Sequence, residues 1–356
     1  MHNKSVKPTL VPRAAYGCCL IAMNSTLLDD GPAMIREQLY NLEAERRSAI
    51  VKGDCVEWSR VQGDMAEIGS DSPIIKFPDS DAFRFVQRAR IPKEVILAVS
   101  QSNPGELQWP VDAVIDKCRS FVSDEFAVDL GEVEIVRVKD DYILYEGLAV
   151  SCRDTEHLVV LPPVGEGFEA PDLLVHEFGH TAEFNLRRSL GDDKLLVHHR
   201  LFSETVAHYC QYRYLLEFGT REERLGAMGS VTKEYLALKA VLLSIELGHK
   251  ELAIREVCSH KNMADFTEVY GQDKIANILS GYSRLSLAEI YHYHVEPRFG
   301  AILAMRLINE ADLVKRLSLA SPEKPIHAIL QDMGLEPDSL LDFECVGDLV
   351  WDFVGG

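Results

Sequence analysis

The chain has 356 residues, 47% of them hydrophobic, which is ample for a sizeable core in one large lobed domain or two domains. A formal net charge of -19 argues against binding nucleic acid or anionic membranes through general charge. No run approaches the roughly 18 apolar residues of a membrane span, and the scattered cysteines, without a C-x-x-C pair, read as reduced cytoplasmic usage, with secretion by a dedicated system left open.

In chain order, residues 1–30 read as an irregular N-terminal segment and 31–127 as a helical region. Met34, Ile35, Leu39, Leu42, Ile50 and Val51 recur at helical spacing. Gly53-Asp54 breaks that pattern and Val56 to Ile68 resumes it, as in a helical hairpin. Short helices are expected at Ala82–Ala89, Pro92–Gln101 and Pro110–Phe126. The character changes near Val128, where a second unit, 128–356, begins. Val133 to Val138 alternates and carries β-branched residues, so it predicts a strand. Tyr142–Tyr145, Leu148–Cys152 and His157–Leu161 follow as short strands, giving a small sheet over 132–161. Two helices are expected within 171–217 and a helical lobe over 232–354. In that lobe, Thr232–Leu247, Glu251–Cys258, Asp265–Leu285 and Leu287–Leu319 keep the 3.6-residue period. Ile326–Met333, stopped at Gly334, and a last helix over Pro337–Val354 complete it.

The stretch with chemistry is His176-Glu177-Phe178-Gly179-His180, an H-E-x-x-H pattern on a predicted helix. Residues four apart lie one turn apart on one face, so His176 and His180 can offer two imidazoles to one zinc ion. Glu177 is then placed as general base towards water. Leu173, Leu174, Val175, Phe178, Ala182 and Phe184 make the segment apolar on more than one side. A helix that buried should not carry two His and a Glu side by side unless they have partners. A catalytic zinc takes three protein ligands and leaves a position for water. The third candidate is Glu204, which follows His180 by 24 residues, enough to end one helix and return on a second. A Glu in that role defines gluzincins. The third His of metzincins has no counterpart between Thr181 and Leu190. His208 lies one turn after Glu204 on the same face. It could touch substrate, bond a ligand from outside, or pack in the core.

Tyr291-His292-Tyr293-His294 is the second unusual cluster. A peptidase of this kind needs a donor for the oxyanion besides the metal, and Tyr291, Tyr293 or His294 could supply it. The strand His157–Leu161, just upstream of the motif, is a candidate for an edge that pairs with an extended peptide. Taken together, His176 to His180, Ser203-Glu204, Tyr291 to Ala304 and Pro325 to Leu335 resemble the thimet oligopeptidase and oligoendopeptidase F family of gluzincins. The resemblance covers about 170 to 345, and only the zinc motif in it is specific. It implies an α+β, mainly helical, zincin-like metallopeptidase with a small sheet before the active-site helix and a helical C-terminal lobe. The chain is shorter than those enzymes, with about 125 residues before the sheet, so their oligopeptide specificity does not simply carry over. The expectation is a zinc-dependent peptidase with a peptide or protein substrate and with no nucleic-acid or membrane partner. Two alternatives stand beside it: a narrow-specificity protease acting on a single protein, as an effector or maturation peptidase, and a non-catalytic zincin-like binding protein.

Overall fold

The structure, a computed structural model, describes residues 32–54, 56–58, 60–61, 64, 90–102, 112–137, 147–151, 156–161, 170–188, 200–283, 286–290, 296–320, 324, 326–336 and 346–355. Among them the chain is mainly helical with one small sheet, an α+β arrangement. The first helix, α1 (Pro32–Lys52), stops where expected. Gly53 turns back at φ 70°, and the Asp54 carboxylate accepts from the Glu57 N–H at 3.0 Å to start the next turn. Helices α2 (Lys93–Gln101) and α3 (Asp112–Phe126) follow, each burying one stripe: Val95, Ile96 and Val99 in the first, Cys118, Val122 and Phe126 in the second. The expected helix at 82–89 and strand at 142–145 lie outside the described residues.

Three strands form the sheet: β1 (Glu132–Arg137), β2 (Leu148–Ser151) and β3 (Glu156–Leu161). Their order is β1-β3-β2, with β1 parallel and β2 antiparallel to β3. The expectation that 157–161 is an edge strand is therefore corrected: β3 is the central strand. Its side chains carry the reason. Leu158, Val159, Val160 and Leu161 are all buried, the unbroken apolar run of a strand covered on both faces. Among the described residues β1 and β2 are each paired on one side only, and β2 lies against the helix that carries H-E-x-x-H.

That helix, α4 (Ala170–Arg188), packs against β2, β3, α3 and, most extensively, α5 (Arg200–Phe218). Every residue of α5 from Leu201 to Tyr212 is buried. Next comes α6 (Arg221–Glu246), which begins earlier than the apolar period suggested. Thr220 accepts from the Glu223 N–H at 3.2 Å while the Glu223 carboxylate accepts from the Thr220 N–H at 2.5 Å, a capping box that fixes the start.

Beyond it the helices are shorter than the sequence period implied. They are α7 (Ile254–Ser259), α8 (Ala264–Tyr270), α9 (Gln272–Ser280), α10 (Leu287–Ile290), α11 (Glu296–Arg306) and α12 (Ala311–Ser318). Gly271 at φ 75° separates α8 from α9, and a turn closed by the Glu310 N–H on the Leu307 carbonyl separates α11 from α12. Periodicity does not register such breaks, because the apolar stripe resumes in phase. Helices α13 (Ile326–Asp332) and α14 (Val346–Val354) end the chain. Gly334 at φ 74° stops α13 as the sequence indicated. Residues 337–345 of the expected last helix are outside the described set. Among the described residues no helix is long and apolar enough to cross a membrane.

Candidate metal centre

Two glycines let three helices meet closely. A Cβ on Gly179 of α4 would lie 2.8 Å from the Ala207 Cα of α5, and one on Gly300 of α11 would lie 2.5 Å from the Leu201 carbonyl and 2.7 Å from the Glu204 Cβ. Helix α5 is thus held between α4 and α11 at backbone contact.

The close approach brings Glu204 to the two histidines. His176 Nε2 is 3.6 Å from one oxygen of the Glu204 carboxylate, and His180 Nε2 is 3.9 Å from the other. Donor atoms of His176, His180 and Glu204 all lie within 4.8 Å of one another, a group that could hold a metal ion. Ligands about 2.0–2.1 Å from a tetrahedral zinc would stand about 3.4 Å apart, so the donors would draw closer around an ion. Burial pushes the His180 imidazole down to about 3, so it is neutral at physiological pH, the form that ligates. Its Nε2 is shut from solvent and has no hydrogen-bond partner among the described residues. A buried polar atom in that condition fits a cation site, and two imidazoles with one carboxylate form a donor set suited to zinc.

Around the triad, polar side chains that the sequence reading had not assigned form two buried chains. On one side, His180 Nδ1 meets the Ser203 hydroxyl at 3.1 Å, and that hydroxyl donates to the Glu183 carboxylate at 2.5 Å. Burial pushes Glu183 up to about 7, with the Arg187 guanidinium and the Ser203 hydrogen bond opposing the rise. On the other side, His208 stacks edge-on to His176 with ring centroids 4.6 Å apart, and its Nε2 stands 3.7 Å from Glu204. His208 Nδ1 meets Gln211 Oε1 at 3.0 Å, and Gln211 Nε2 donates to Asp172 at 2.7 Å. Burial pushes the Asp172 carboxyl up to about 6, opposed by the Gln211 bond. His208 is buried and also stacks on Tyr212, with ring centroids 5.3 Å apart. Glu183, three residues after His180, and Gln211, three after His208, share helix faces with the site. That spacing was the available signal.

Glu177 is buried at 2% exposure, and Gly147, the residue before β2, packs directly on it: an added Cβ would meet Glu177 Cγ and Cδ at 2.8 Å. The strand therefore begins over the H-E-x-x-H glutamate. Tyr291, His292, Tyr293 and His294 lie outside the described residues. His157, in β3, is no part of the centre. Its Nε2 pairs with Asn185 at 2.8 Å beneath the sheet.

No family model matches the chain, and neither the curated proteins nor the solved structures contain a match.

Proposed function

We propose that this chain is a zincin-like, zinc-dependent peptidase, with His176, His180 and Glu204 as metal ligands. The observation that carries the reading is His180 Nε2, buried without a hydrogen-bond partner among the described residues and 3.9 Å from the Glu204 carboxylate. Zinc held there supplies a Lewis acid that polarises a carbonyl and acidifies water. Glu177 takes the attacking water's proton and later delivers it to the leaving amine. Its burial under Gly147 keeps that carboxylate out of bulk water. Tyr291, Tyr293 or His294 donates to the oxyanion beside the metal. Peptides are the substrate favoured over other acyl compounds because β2 offers an open strand edge, among the described residues, directly over Glu177.

The test is mass spectrometry of a peptide library and of a protein mixture digested by the wild type and by Glu177→Gln, with zinc content measured on both. Cleavage by the wild type alone, at equal zinc content, supports the reading. Cleavage confined to one protein would place the chain among narrow-specificity proteases. A protein that takes up no zinc and is unmoved by chelators would instead be a binding protein of zincin shape.

A further inference from the structure

We infer that Ser203 and Glu183 are positioning residues that hold His180 as its Nδ1–H tautomer, so that Nε2 is presented as a bare lone pair; the inference rests on the reading of His180 as a metal ligand. The argument is a count of protons. A serine hydroxyl has one proton to give and lone pairs to accept with, and Glu183 in its ionised form, the one that prevails above about pH 7, only accepts. The Ser203 proton therefore lies on the 2.5 Å contact to Glu183 Oε2. Having given it, Ser203 Oγ can only accept at the 3.1 Å contact from His180, so Nδ1 carries the hydrogen. Which nitrogen of an imidazole is protonated is set by the bond the other end makes. Bulk solvent does not reach the chain, since His180 and Glu183 are fully buried and Ser203 is 2% exposed.

The far end of the chain is anchored as well. Arg187, one turn beyond Glu183, attracts its charge and donates to the Ser318 carbonyl at the end of α12 at 2.7 Å. The usual carboxylate–histidine pair behind a metal ligand is here lengthened by one hydroxyl. A buried Ser–Glu pair in a helix interface has little packing value, since an apolar pair of similar volume would be as stable or more so. Fixing the ring is what the pair adds.

The experiment reads the tautomer directly. Long-range nitrogen–proton correlation spectra of histidine-labelled, metal-free protein, recorded above about pH 7 where Glu183 is ionised, should show His180 protonated on Nδ1. Ser203→Ala should release it towards the Nε2–H form and weaken zinc binding, measured by chelator competition, by roughly 10–100-fold. Ser203→Thr, which keeps the hydroxyl, should restore both. Wild-type His180 protonated on Nε2 would overturn the inference. So would Ser203→Ala with tautomer and affinity unchanged, even if its melting temperature fell. A wild type that shows the Nδ1–H form yet binds no zinc supports the relay and sinks the metal reading, so the two fail separately.

Discussion

A buried imidazole nitrogen that makes no hydrogen bond costs on the order of 1–3 kcal/mol, and His180 Nε2, without a partner among the described residues, carries that cost inside the α4–α5 interface. A ligand that satisfies it should stabilise the fold. At a free zinc concentration a thousand times the dissociation constant the gain is about 4 kcal/mol, several degrees in melting temperature. Calorimetry with zinc and with a chelator should show that gap in the wild type, and His180→Ala should abolish it. Glu177→Gln should behave differently, keeping the zinc-dependent gap while losing peptide turnover. At this scale the sequence was readable where spacing alone set the outcome. His176 and His180 share a face because a helix turns in 3.6 residues. Ser203 and Glu183 were given no role, because a Ser beside a ligand and a Glu near a motif are ordinary until the facing helix shows where they point.

The helices meet through glycine, and the consequence is testable element by element. Gly300→Ala would push α11 off the Leu201–Thr205 turn of α5 and shift Glu204, and Gly179→Ala would separate α4 from α5. Each should lower stability by about 1–3 kcal/mol and weaken zinc binding, read by urea titration and chelator competition. Gly229→Ala is the contrast. Its added Cβ would meet only Val99 Cγ1, at 3.9 Å, within α6, so it should stabilise by about 0.5–1 kcal/mol and leave zinc binding unchanged. Element boundaries were legible where a local signal exists, at Gly53 and Gly334. The Thr220–Glu223 capping box was an equally local signal, and the apolar period alone passed over it. The placing of β3 between β1 and β2 was not legible. Strand order is decided by pairings between segments far apart in sequence, and both a central and an edge strand can present a short apolar run.

For the whole molecule, pH is the relevant variable. Burial pushes His157 down from 6.5 to about 4, with its Nε2 bond to Asn185 opposing the fall. As pH drops, the unfolded chain takes up this proton before the folded one. The stability from keeping His157 neutral is therefore fully present above pH 6.5 and is lost between 6.5 and about 4, up to about 3 kcal/mol. Asp172 and Glu183 act in the opposite sense, because their raised carboxyls favour the folded state below their ordinary values and lose that benefit as pH rises through about 6 and 7. The His157 contribution is consequently a difference: urea midpoints of the wild type should fall more steeply between pH 6.5 and 4 than those of His157→Gln. Equal slopes would show that the ring is solvated in the folded protein.

The sequence by itself determined the mainly helical α+β character, the helix carrying His176 and His180, and the second helix that returns Glu204 to them. All of these follow from local periodicity and spacing. Only the tertiary structure decided that Gly147 closes over Glu177, that β3 is central, and that Ser203–Glu183 and His208–Gln211–Asp172 flank the three donors. Those contacts join segments up to dozens of residues apart, and one chain segment carries no information about which side chain of another it will face once both are buried.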